Sequence, residues 1–149
     1  MLLSKNIQLI EMVRSETADS KHLDNTPQQE VIDAMQRLAQ EVLQPIRAHF
    51  DKPLHISSGY RCQELNKAIG GSKTSQHCFG EAADISVAGT GISELMAWIV
   101  NDSGLPFDQV ILEPSWVHIS YTVRHELRYE SMVKVPNGYI HYKENGAQA

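Results

Sequence analysis

The sequence predicts an α+β fold in which amino-terminal helices are packed on a mostly antiparallel sheet. Two observations carry this. The first third repeats apolar residues at helical spacing, and the remainder breaks into short apolar or alternating runs separated by turn signals. A third observation bounds the size: 149 residues, 42% apolar and 21% charged, suffice for one core and contain no internal repeat or biased segment. One domain over residues 1–149 is the expectation.

Taken in order, a short amphipathic stretch over 6–14 comes first. Thr26, Pro27 and Gln29 then read as a capping box with proline at the first helical position. Behind them Val31, Ile32, Met35, Leu38, Ala39, Val42, Leu43 and Ile46 form one apolar face, which predicts the longest helix over 27–49. Pro45 should end or kink it. Strands are predicted at 54–58 and 82–87, with a short helix at 63–69 stopped by Gly70 and Gly71. A helix over 93–100 buries Leu95, Met96, Ile99 and Val100. Segments 109–112 and 116–121 flank Pro114-Ser115 as a hairpin, and 129–135 and 139–143 flank the turn signal Pro136-Asn137-Gly138.

Composition excludes several functions. A net charge of −5 offers no basic stripe for a phosphate backbone, so nucleic acid is not an expected partner. No run of some 18 apolar residues predicts a membrane span, and the amino terminus reaches Ser4, Lys5 and Asn6 too soon for a secretory segment. Cytoplasmic synthesis without a signal peptide is the expectation, so any action on a cell wall needs another route out. Cys62 and Cys78 are too few for a disulfide framework, though one bridge stays open.

The chemistry concentrates between Ser72 and Ile85. Asp84 stands among Ala82, Ala83, Ile85 and Val87, and an ionised carboxylate in an apolar strand needs a partner. A metal would supply one. His77 lies seven residues earlier in a glycine-bearing loop, and His118 lies between Trp116 and Ser120 in a later strand. Imidazole, carboxylate and imidazole suit Zn²⁺ and leave a fourth position for water. Singly, either histidine would be an ordinary loop or core residue. His22, His49, His55, His125 and His141 have no ligand spacing.

Ser75-x-His77-x-x-Gly80-x-Ala82-x-Asp84, Ser58-Gly59-Tyr60-Arg61 and Trp116-Val117-His118-Ile119-Ser120 together resemble the zinc D-Ala-D-Ala carboxypeptidase family, which includes phage endolysins. Leu65-Asn66, Gly70-Gly71-Ser72 and Phe107-Asp108-Gln109 extend the resemblance over roughly residues 3–121, and the tail after Tyr121 matches no motif. The resemblance implies a hedgehog-type, DD-peptidase-like fold with Zn²⁺ held by His77, Asp84 and His118. It implies peptidoglycan stem peptides as substrate, cut at D-Ala-D-Ala or at an L-Ala-D-Glu bond. It also implies a catalytic acid shortly before the last ligand, here Glu113. Several relatives place that acid three residues before the histidine, where this chain has Ser115, but a hairpin at Pro114-Ser115 would swing Glu113 back. Glu81 and Asp108 are the next acids in line.

Arg61 suits an oxyanion or a substrate carboxylate, and Ser75 and Gln76 suit hydrogen bonds to the substrate backbone. The expected protein is a monomeric, zinc-dependent wall peptidase, of phage or prophage lysis type. Its rivals on the same fold are a zinc-containing wall-peptide binder without the base and a structural virion protein. The position of Glu113 relative to the metal ligands discriminates between enzyme and binder.

Overall fold

The computed structural model of the protein describes residues 1–143. Helices α1 (Leu9–Val13) and α2 (Glu16–Ser20) precede a helical rod built of α3 (Gln29–Leu38), a π-helical turn (Ala39–Leu43) and α4 (Gln44–Phe50). The predicted capping box does not form. The Thr26 hydroxyl donates to Asp24 Oδ1 at 2.6 Å and its N–H to the same oxygen at 3.0 Å, so Thr26 is spent on a local turn and the helix begins behind Gln28. Pro45 does not stop the rod either. Proline lacks the N–H and crowds the carbonyl of the preceding turn, and the wider π turn just before it absorbs both defects.

The six strands are β1 (Leu54–Ser58), β2 (Ala82–Val87), β3 (Gln109–Leu112), β4 (Val117–Ser120), β5 (Glu130–Val135) and β6 (Gly138–His141), in the order β1-β2-β4-β3-β5-β6. All neighbours are antiparallel except β3 and β5. That one parallel pair arises because the chain leaves β4, crosses its hairpin partner and returns on the far side of β3 in the same direction. Two further helices, α5 (Gln63–Ala68) and α6 (Ile92–Asn101), complete the α+β fold.

Strand alternation decides what each sheet face does. Ala83, Ile85 and Val87 of β2, Val110 and Leu112 of β3, and Val117 and Ile119 of β4 join Met35, Leu38, Val42 and Ile46 of the rod in one core. The intervening residues Asp84, Ile111 and His118 point to the opposite face. A one-residue slip would exchange the two sets.

Candidate metal centre

Register places the first two candidate ligands. Asp84 is the direct cross-strand partner of His118, so residues 34 apart in sequence share one spot on the open face. His77 comes from a 3₁₀ turn, Gln76–Phe79, that leads into β2. Gly80 ends that turn at φ 73°, and a Cβ there would stand 2.7 Å from the Val31 carbonyl oxygen, so only glycine lets the turn press against α3. The Arg61 N–H donates to the His77 carbonyl at 3.1 Å, tying the turn to the chain leaving β1.

The nitrogen and oxygen atoms that His77, Asp84 and His118 can offer lie within 4.8 Å of one another. Asp84 Oδ1 is 3.3 Å from His77 Nε2 and 3.0 Å from His118 Nδ1. Chemistry fixes the proton on His77. Its Nδ1 lies 2.7 Å from the Gly59 carbonyl, which can only accept, so Nδ1 is the donor. Burial pushes the ring below its ordinary pKa of 6.5, against the opposing pull of Asp84, and the neutral ring then carries its lone pair on Nε2. That lone pair faces a carboxylate oxygen. Burial alone would raise the Asp84 carboxyl, but the contacts opposing it, led by the hydrogen bond with His118, hold it well below the carboxylate range. Two electron-pair donors turned toward each other at 3.3 Å repel unless a cation lies between them, so the donor set fits a divalent metal.

The residue that supplies this carbonyl must be glycine, because a Cβ there would collide with the Met12 backbone.

Arg61 stands beside the cluster with Nη2 3.5 Å from Asp84 Oδ2, Nε donating to Ser58 Oγ at 3.0 Å and Nη1 donating to Asn66 Oδ1 at 3.3 Å. Its fork is thus oriented by three neighbours while it still lines the cleft. Glu113 also lines that cleft. Its N–H donates to the Trp116 carbonyl at 3.0 Å, closing a tight turn around Pro114-Ser115, and Ile111 pairs with His118. Glu113 and Trp116 therefore close the hairpin two residues beyond that pair, on the same face as His118. A five-residue spacing suits a two-residue turn, in which Ser115 occupies the loop itself. Burial, and to a lesser degree Asp84, raises the Glu113 carboxyl above its ordinary 4.5 against the pull of His118 and Lys134.

Ser75 and Gln76 have protein partners of their own. Ser75 Oγ accepts the His77 N–H at 3.2 Å, and the Gln76 amide donates to Asp108 Oδ2 at 2.9 Å. Both still line the cleft, with the Gln76 side-chain Oε1 left for a ligand. Glu81 and Asp108 are engaged elsewhere: Glu81 accepts from Thr122 and Arg124, and Asp108 from Arg128 and Gln76. Cys62 and Cys78 are free thiols. The cleft also contains Arg128 and Tyr139, which no sequence motif marks.

An open sheet face carrying a His-Asp-His group with a half-buried acid beside it is the arrangement of a metallopeptidase. A family model described as Peptidase M15 matches residues 5–120, and the chain belongs to this zinc D-Ala-D-Ala carboxypeptidase family. No curated protein matches it. No described helix is long and apolar enough to cross a membrane.

Proposed function

We propose that the chain is one zinc-dependent peptidase domain that hydrolyses amide bonds of peptidoglycan stem peptides. The carrying observation is that ligand atoms of His77, Asp84 and His118 lie within 4.8 Å of one another, in one cleft with Glu113. His77, Asp84 and His118 would hold the metal. Zinc bound there would supply an acidified water, with a pKa of about 7, and would polarise the scissile carbonyl.

The chain's own residues do the rest. Glu113 takes a proton from the attacking water and passes it to the leaving amine, a contribution of about 10²–10⁴-fold. Its raised pKa brings it closer to the pH at which it must exchange that proton. Arg61, its fork set by Ser58 and Asn66, faces the negative charge that develops on the carbonyl oxygen. The location of Glu113 supports an enzyme over a wall-peptide binder that lacks the base.

Space extends beyond the cluster. The cleft of about 390 Å³ that holds it over β3 and β4 shares Arg61, Asp84 and Trp116 with a groove of about 680 Å³ beside α2 and β1. A groove that runs on past the cluster favours an endolysin-type cut inside the stem over removal of a terminal D-Ala. Mass analysis of muropeptide digests tests this: separation of L-Ala from D-Glu is expected, and loss of a single D-Ala would assign carboxypeptidase activity instead. Metal analysis should find about one zinc per chain, lost in His118→Ala. Zinc content unchanged by that substitution would sink the ligand assignment.

A further inference from the structure

Residues 121–129, between β4 and β5, lie beyond the Peptidase M15 match, yet they bring a cation to the cleft. Two buried carboxylates hold this segment. Glu81 accepts from Thr122 Oγ1 at 2.7 Å and from Arg124 Nε and Nη2 at 3.0 and 2.7 Å. Asp108, with no exposed surface, accepts from the Arg128 N–H at 2.9 Å, from Nε at 3.2 Å and from Nη2 at 2.8 Å. The next residue, Tyr129, has φ 50°, a left-handed backbone rare for a bulky side chain, with its ring edge-on to Phe107 at 5.5 Å.

A guanidinium carries five N–H donors in a planar fork. Asp108 takes Nε and one Nη2 hydrogen, and Nη1 has no hydrogen-bond partner among the described residues. The Arg128 side chain is 48% exposed, and it lines the same cleft as Gln76, Glu113 and His118. Asp108, itself without exposed surface, fixes one edge of the fork of a side chain that lines the cleft. Along the sheet, Arg61 stands next to the end of β1 and Arg128 next to the start of β5. Asp84 on β2 and His118 on β4 lie between them.

We propose that Arg128 is the anchor for a substrate carboxylate on the side of the metal cluster opposite Arg61, an inference that rests on the peptidase reading above. A free, pre-oriented guanidinium edge matches a carboxylate in bidentate geometry, which a lysine point charge does not. A stem peptide offers two such groups, the free α-carboxylate of its D-Glu and its terminal carboxylate.

The test compares kcat/KM for three synthetic stem peptides: the acid, the D-Glu α-carboxamide and the terminal carboxamide. Each is measured with zinc-loaded wild type, Arg128→Gln and Arg128→Lys. Wild type is expected to lose roughly 10- to 100-fold on one carboxamide, the range for a hydrogen-bonded charge. Arg128→Gln should lose the same factor on the acid, and only about threefold or less on that carboxamide, which names the carboxylate bound. Arg128→Lys keeps a cation for Asp108 but not the fork, and should also lose most of the discrimination. Equal losses on all three peptides, or a discrimination ratio unmoved in Arg128→Lys, overturn the anchor. If Arg128→Gln does not fold, the lysine variant decides alone. A wild type that cleaves stem peptides with an unmoved ratio in the variants defeats only this inference. A wild type that neither cleaves nor binds them in calorimetry defeats the peptidase reading and the anchor together.

Discussion

Two pairs of carboxylates stand on either side of the same cleft wall, and their partners set them apart. Glu81 and Asp108 are buried and filled with donors: each grips an arginine from residues 121–129 and a further side chain besides. Asp84 is also buried, but its neighbours are two imidazoles and a guanidinium 3.5 Å away, and Glu113 has no side-chain hydrogen bond among the described residues. Asp84 is buried as Glu81 and Asp108 are, so burial does not mark chemistry. The arginine partner does: Arg61 reaches Asp84 with one nitrogen at 3.5 Å, whereas a carboxylate closely matched to an arginine, as Glu81 and Asp108 are, cannot take up a proton or a metal without breaking that pair.

The sharpest way to break this contrast is Glu113→Gln. The amide keeps the shape and removes the proton acceptor, so hydrolysis of stem peptides should fall by roughly 10²-fold or more while zinc content and melting temperature stay at wild-type values. Steady-state kinetics alongside metal analysis checks it. Retained hydrolysis would reject Glu113 as base, and the saturated state of Glu81 and Asp108 leaves neither ready to replace it.

The opposite effect is expected on the filled side. Arg124→Ala strands Glu81, whose side chain is 4% exposed, and should cost about 2–3 kcal/mol in urea unfolding, less than a fully buried pair because Arg124 itself is 46% exposed. The hydrolytic rate of the folded fraction should stay within about twofold. A rate loss larger than the stability loss would move residues 121–124 into the catalytic apparatus. Arg61 lies between the two classes, since its fork is fixed by Ser58 and Asn66 yet borders the cluster. Arg61→Lys keeps the charge and loses the fork, so turnover should drop by about 10-fold with a melting temperature nearly unchanged. A sharp fall in melting temperature with turnover intact would make Arg61 a structural clamp.

The same contrast explains what was legible in the sequence. His77, Asp84 and His118 could be read because a turn running into a strand and one cross-strand pair bring them together, and both carry short-range signatures. Even the five-residue separation of Glu113 and His118 follows from a two-residue turn. Arg128 could not be read. Its position depends on Asp108, twenty residues earlier, and on a crossover that makes β5 parallel to β3, neither of which leaves a periodic trace. The missed cap at Thr26 has a related cause: Asp24 competes for the same hydroxyl, and local propensity does not reveal which bond wins. At Pro45 the expected end of the helix does not occur, because a π turn accommodates the ring while the rod stays buried along Val42, Leu43 and Ile46.

The smallest expected effect is a pH dependence that separates a filled carboxylate from an open one. Burial by itself would raise Asp108, but the Arg128 hydrogen bonds and that of Gln76 outweigh it and hold the carboxyl below its ordinary 3.8. A group lowered on folding stabilises the protein fully above its unfolded pKa, and that contribution fades as pH falls through the folded value. Asp108→Asn lacks the term. The variant should therefore be about 1 kcal/mol less stable than wild type at pH ~6, a figure kept small by the half-exposed Arg128, and the gap should be narrower at pH ~3. Glu113 runs the other way: raised on folding, it weakens the native state once ionised, so Glu113→Gln should be no less stable than wild type at pH ~6. Urea titrations of both variants at the two pH values decide the matter. A gap for Asp108→Asn that stays constant with pH would mean that its carboxylate is not held by Arg128 in solution, and the distinction between filled and open acids would lose its clearest structural member.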